Sequence, residues 1–291
     1  MVVATLAVLV AIPASAQAAT APVPLGTAKS FVVLAGAGVT NTGKTTLKGD
    51  LGTFPTTAIT GLSTLTISGT NHAGDAVTQG AKKDLTSAYT TAAGAGPTKA
   101  IPVELGGKTL QPGVYSGGAL GLTGTLTLDG GNNPDAVFIF KAASTLITAS
   151  ASRVKLINVS PCNVYWQVTS SATLGTGSRF VGTIMALKDI HLTTGATVSG
   201  RVLARNGAVT LQANTISLPV CSQVTKPPSS RQVPQLPSGR QVTKVPSGGV
   251  QTGDGSTSGT ENGVHGLWAR ALLVAALGGA TFIARRRQGS V

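Results

Sequence analysis

Between Ala136 and Leu218 apolar and polar residues alternate in short runs, and the runs return at a regular interval. The stretch Gly182 to Gly195 is followed 18 residues later by Gly200 to Gln212, and two looser versions start at Val137 and Val164. A unit of about 20 residues cannot bury its apolar side alone, so such units stack on their neighbours. Alternation with a period of two predicts strands, and the polar breaks between runs divide each unit into three of them. Leu25 to Gly52 reads as one further coil and Tyr115 to Leu128 as another. The expected fold is mainly β, a three-faced β-solenoid.

The three strand columns differ in chemistry. The first holds Phe138-Ile-Phe, Tyr165-Trp-Gln, Ile184-Met-Ala and Val202-Leu-Ala. Both phases of the alternation are largely apolar there, so that face must be covered on both sides. The third column turns Val154, Phe180, Val198 and Ile216 inward and leaves charges and hydroxyls in solvent. The second turns Leu146, Leu174, Leu192 and Leu211 inward, which places a set of threonines outward. A Thr followed by Gly or Ala recurs at Thr42, Thr123, Thr148, Thr176 and Thr194.

One segment breaks the period. From Ala73 to Ala92 the apolar residues Val77, Ala81, Leu85, Ala88, Tyr89 and Ala92 follow helical spacing, with Gly94 to Pro97 as the stop. This amphipathic helix is the expected cover for the first column. Residues 53 to 70 are rich in Thr and Ser and resist assignment.

The ends change character. Residues 1–19 hold an apolar run, Leu6 to Pro13, before small residues at Ala14, Ala16 and Ala18, as in a secretory signal cleaved near Ala18. The missing basic n-region points to a true start further upstream. A membrane anchor is the lesser reading, because the run is short and Pro13 interrupts it. The domain is expected over 20–221 and a Pro/Gly/Ser-rich linker over 222–263. A hydrophobic segment with a basic tail follows over 264–291, containing Arg270 and, after Ala284, Arg285 to Arg287. Leu236-Pro-Ser-Gly and Val250-Gln-Thr-Gly resemble degenerate cell-wall sorting motifs, so membrane and cell-wall anchoring both stay open. Either way the domain is expected outside the cell, retained at its surface.

Composition narrows the chemistry. Aromatic residues make up 4% and charged residues 11% of 291, so the core must use small and β-branched side chains. The net charge of +13 invites a nucleic-acid reading, but it is scattered. From Thr20 to Leu218, 14 Lys/Arg stand against 7 Asp/Glu, with no basic run interleaved with aromatics, and no nucleic-acid partner is expected. Cys162 and Cys221 are the only cysteines, and after a secretory start they are expected to pair and pin the end of the stack. Two thiols without a nearby His cannot complete a metal shell. His72, His191 and His265 are dispersed, with His72 read as a capping or surface residue. Asp129, Asp135 and Asp189 sit at turns, where Asp is a turn former, so a β-helix enzyme with clustered carboxylates is disfavoured. No catalytic residue, cofactor or metal is expected.

The Thr column carries the functional expectation. Stacked strands repeat every 4.7–4.9 Å or so, and β-branched Thr is stiff at χ1. Methyls and hydroxyls are then held on a grid that can order water. The candidate ice-contacting residues are Thr42, Thr123, Thr145, Thr148, Thr173, Thr176, His191, Thr193, Thr194, Thr210 and Gln212. Solvent-facing Thr is also common in solenoids of every function, and a glycan-binding or adhesin module on the same scaffold is the alternative. Such a site wants aromatic platforms, and Trp166 falls in the covered column.

Several ordered motifs then resemble those of the microbial ice-binding protein family with a discontinuous β-solenoid. They are Leu25-Gly-Thr-Ala-Lys-Ser-Phe-Val-Val-Leu-Ala-Gly, Gly49-Asp-Leu-Gly, His72-Ala-Gly-Asp-Ala, Leu110-Gln-Pro-Gly-Val-Tyr, Asp135-Ala-Val-Phe-Ile-Phe-Lys, Cys162-Asn-Val-Tyr-Trp-Gln-Val, Phe180-Val-Gly-Thr-Ile and Gly200-Arg-Val-Leu-Ala-Arg. The resemblance covers about Leu25 to Leu218. It implies an irregular right-handed solenoid of triangular section with non-contiguous coils, one long helix along a face, and a monomer that binds the ice crystal surface by one flat face. It also implies a Thr-Ala/Gly-x-Thr/Asn motif at that face. Thr42-Gly-Lys-Thr45 and Thr194-Gly-Ala-Thr197 match it, while Thr148-Ala-Ser-Ala151 and Thr176-Gly-Ser-Arg179 depart at the last position.

Overall fold

The structure, a computed structural model, describes residues 20–131, 133 and 135–221. The signal, linker and hydrophobic-tail assignments lie outside the described residues, none of whose helices is long and apolar enough to cross a membrane.

Short strands with alternating burial wind into a three-faced β-solenoid in which every strand pairing is parallel. The first coil contributes Phe31–Ala35, Val39–Thr42 and Thr45–Lys48, one strand to each face. Residues 53–70, unreadable from sequence, complete a second coil with Ile59–Thr60 and Leu65–Ile67 at the edge of the stack. Two strands serve two faces each. Arg179–Ala186 and Thr197–Ala204 turn the corner at Gly182 and Gly200, where a side chain has no room. A Cβ on Gly182 would lie 2.7 Å from the Val164 carbonyl oxygen, and one on Gly200 1.9 Å from that of Gly182.

The order of coils in space is not their order in sequence. Phe31–Ala35 pairs with Thr197–Ala204 through Val33↔Val202, so the first coil docks on the last. The chain must then return to the opposite end, where Thr98–Ala100 forms the edge of the same face. The helix α1, Ala76–Gly94, makes that return. Its 19 residues rise about 28 Å at 1.5 Å each, against about 38 Å for nine strands spaced ~4.8 Å, and the flanking segments supply the rest.

Helix α1 begins three residues later than its periodicity predicts. His72 and Ala73 are held in a ladder against Gly52 and Thr53, and the Asp75 carboxylate accepts the Thr78 N–H at 2.8 Å as the N-cap. Its buried stripe, Ala81, Leu85, Ala88, Tyr89 and Ala92, packs with Phe31, Leu34, Ile139, Tyr165, Met185 and Leu203 from the outer side of the first column. The expected cover is therefore in place. Inside the solenoid the few large aromatics stack: Tyr115 on Phe140 at 5.5 Å, Phe140 on Trp166 at 4.0 Å, and Trp166 against Phe180 at 4.9 Å. Trp166 satisfies its indole N–H on the Val181 carbonyl at 3.0 Å. Cys162 and Cys221 form a disulfide with their Cα atoms 5.5 Å apart, closing the chain back on the stack as expected.

Candidate functional site

The face made by the second column carries no covering element among the described residues. Its seven strands run in the order Leu120–Leu122, Leu146–Thr148, Ala172–Leu174, Ile190–Leu192, Val209–Gln212, Val39–Thr42 and Ile59–Thr60. At ~4.8 Å per step the ladder is about 29 Å from first strand to last. Leu120, Leu146, Ala172, Ile190, Val209 and Val39 point inward and are buried. This fixes the outward direction of their neighbours.

Two outward rows result. The central row, read through the ladder registers, is Gly121, Ile147, Thr173, His191, Thr210, Thr40 and Thr60. The corner row precedes a set of left-handed residues, Gly124, Ala151, Gly177, Gly195, Ala213 and Gly43, whose φ angles lie between 50° and 76°. It consists of Thr123, Ser150, Thr176, Thr194, Gln212 and Thr42, with Thr42 directly opposite Gln212. The turn closes the strand in that conformation, and the preceding side chain is left at the rim.

This geometry corrects three expectations. Thr148 is not outward: it lies opposite Leu122, is 3% exposed, and its hydroxyl accepts the Gly175 N–H at 2.9 Å. In that coil the left-handed residue is Ala151 rather than Ala149, so the rim position falls to Ser150, and the five Thr-Gly/Ala pairs do not form one column. Thr45, the second Thr of one motif match, is 1% exposed and accepts the Asn214 N–H at 3.0 Å, while Thr46 takes the outward place opposite Thr215. Thr145 and Thr193 stand half-buried at the margins: Thr145 precedes its strand, and Thr193 is an extra residue before Thr194 that donates to the Leu174 carbonyl at 2.8 Å. Thr42, Thr123, Thr173, Thr176, His191, Thr194, Thr210 and Gln212 are brought together on the two rows.

Sequence reasoning missed Thr40, Thr60, Ser150 and Ile147. Thr40 was available from the alternation of Val39 to Thr42. Ile147 follows from the inward Leu146. Thr60 lay in the stretch that could not be assigned, and Ser150 was hidden because a left-handed Ala imitates no turn signal.

The chemistry of the rows is hydroxyl, methyl and amide. His191 is the one ionisable side chain in them, and it is exposed between Thr173 and Thr210. Neighbouring rim groups tie each other down: Thr176 Oγ1 donates to Thr193 Oγ1 and Thr194 Oγ1 to Gln212 Oε1, each at 3.3 Å. At one end Glu104 accepts the Thr123 N–H at 2.8 Å and the Gly106 N–H at 2.6 Å, and these bonds, Thr123's foremost, hold its carboxyl below the ordinary range. The result is a fixed array of short side chains that can anchor water by its hydroxyls and order it by its methyls.

Elsewhere the carboxylates are turn formers. Asp129 accepts the Gly131 N–H at 2.9 Å and Asp189 the Ala208 N–H at 2.8 Å, while Asp135 is exposed in its own loop. His72 Nδ1 lies 2.7 Å from Asp75 Oδ2 at the start of helix α1. Among the described residues no group of three or more His, Cys, Asp or Glu stands where it can hold a metal ion.

A profile of the family described as Ice-binding-like matches residues 33–217. The chain is 45% identical over 196 residues to an ice-binding protein of Nostoc sp. (strain HG1), covering 66% of this chain and 73% of that protein. It is 34% identical over 217 residues to an ice-binding protein of Flavobacterium frigoris (strain PS1), covering 68% and 76%. Among solved structures, an ice binding protein from an Antarctic Biological Consortium superposes with a TM-score of 0.69 at 44% identity, over 72% of this chain and 97% of that one. The ice-binding protein_1 domain of Shewanella frigidimarina gives 0.65 at 31% identity, over 69% and 99%. This chain belongs to the ice-binding-like family.

Proposed function

We propose that the protein adsorbs to ice through its bare seven-stranded face and thereby restrains ice growth and recrystallisation. The observation that carries the reading is the pair of outward rows, in which short hydroxyl and methyl side chains repeat on a hydrogen-bonded ladder with one ionisable group. Water beside such rows is held by many weak, regularly spaced contacts rather than by a few strong ones. A layer ordered this way joins a growing crystal, whereas the tightly organised shell of a charged group resists doing so. Stiff Thr side chains lose little entropy on contact, and the backbone ladder cannot shift without breaking its bonds. No step needs a nucleophile, acid or metal, and the turn carboxylates are occupied by backbone amides, which supports a non-enzymatic role.

The glycan-binding alternative gains no specific support. Neither row contains a Phe, Tyr or Trp, and Trp166, Phe140 and Phe180 are all inside. We further propose a secreted monomer, with residues 1–19 as its removed signal and 20–221 as the ice-binding domain. Residues 222–263 would be its linker and 264–291 its membrane or cell-wall anchor, the support being the composition of those segments.

The test is partition into a slowly growing ice hemisphere together with a recrystallisation assay. Enrichment in ice and smaller grains at low protein concentration are expected. Uptake equal to that of an inert protein of similar size would end the reading.

A further inference from the structure

The side opposite in chemistry to the bare face carries a basic pocket that ice adsorption does not use. A cavity of about 480 Å³ lies between helix α1 and the loop after Thr197–Ala204, lined by Phe54, Gln79, Lys82, Lys83, Arg205 and Asn206 among others. Three of its lining side chains are cations and none is a carboxylate. The nearest acids along the chain are engaged elsewhere, Asp84 with Thr27 at 2.6 Å and Asp189 with the Ala208 N–H at 2.8 Å.

The cations are placed rather than loose. Lys82 Nζ donates to the Ala204 carbonyl at 2.7 Å and also to that of Arg205, which leaves one ammonium proton free. The Arg205 guanidinium sits 5.2 Å from the centroid of the Tyr89 ring, and its Nε is buried with no hydrogen-bond partner among the described residues. Burial, with the charge of Arg205 second, pulls the Lys82 ammonium down to about 8. The fold thus holds two like charges close together, partly desolvated and with no carboxylate paired to them among the described residues, which costs stability until an anion arrives.

We propose that this pocket binds a tetrahedral oxyanion, a phosphate or a sulfate, either free or as an ester on a polymer. Arg205 and Lys82 present directed donors from two elements, and Lys83 adds charge at the mouth, the combination that suits such groups. Because the pocket lies on the helix side, an oxyanion-bearing polymer held there leaves the Thr rows free.

The probes are inorganic phosphate and sulfate, read by calorimetric titration and thermal unfolding at constant ionic strength against chloride. Saturable binding is expected, with a rise in Tm that follows ligand concentration. Lys83→Gln with Arg205→Gln should weaken it at least tenfold while ice uptake stays unchanged. Lys83→Gln alone touches no internal hydrogen bond, so its several-fold weakening serves if the double variant unfolds early. Dextran sulfate against dextran separates the sources: capture of the sulfated polymer assigns an ester, and binding of the free ions alone assigns a small-ion site. An unsaturable response, or one identical in wild type and Lys83→Gln, would overturn the proposal.

Discussion

At the scale of single residues, the same side-chain type does opposite work one or two positions apart. Thr176 and Thr194 stand at the rim, whereas Thr148 faces the interior and its hydroxyl serves the Gly175 amide. Thr148→Val keeps the shape and removes that acceptor, so the half-buried Gly175 N–H loses its partner at a cost of about 1 kcal/mol. Chemical denaturation should show that loss while partition into ice is unaltered. A fall in ice uptake with no loss of stability would mean that Thr148 faces ice after all. The inward Leu positions made the outward threonines legible in the sequence. The rim was less legible, because it depends on which residue adopts positive φ, and Ala151 and Ala213 do so without being glycine.

At the scale of elements, helix α1 matters because it returns the chain to the far end of the stack and seals the outer side of one face. Its existence and most of its buried stripe were plain from spacing, but Val77, counted in that stripe, stands exposed one position from the buried Thr78. Its first residue was not, because pairing of His72 and Ala73 with the neighbouring strand competes with helix, and Asp75 decides the boundary. Leu85 is wholly buried between the helix and the sheet. Leu85→Ala should cost about 2–5 kcal/mol in equilibrium unfolding, the usual range for an emptied core site. A loss under 1 kcal/mol would show that the helix adheres only loosely to the solenoid. The position of the first coil, docked on the last through Val33↔Val202, was not readable from the repeats themselves. Repeats tell which strands share a column, but they are nearly interchangeable within it. Only the motif resemblance implied non-contiguous coils.

At the scale of the whole molecule, the solenoid separates a nearly uncharged face from a basic, helix-covered side. The half-buried Lys82 gives this asymmetry a signature in pH. Its ammonium is pulled from 10.5 to about 8 by burial and by Arg205, whereas an unfolded chain keeps that proton up to about pH 10. Between these values the unfolded state holds more protons, so the penalty, fully present below pH 8, is relieved as pH rises. The Tm of wild type relative to Lys82→Met should therefore climb between pH 8 and 10. A flat difference would place Lys82 in solvent. The low aromatic content fits the same division, since the large rings are used to fill the interior and the bare face is built from short side chains.

The most direct test of the central claim compares partition into growing ice for two double variants at equal concentration. Thr176→Tyr with Thr194→Tyr places bulk on the rim of the bare face, while Thr90→Tyr with Thr91→Tyr places the same bulk on the exposed side of helix α1. The first pair should lose most of its uptake and the second should match wild type. Equal uptake by both, or loss confined to the helix pair, would contradict adsorption through the threonine rows.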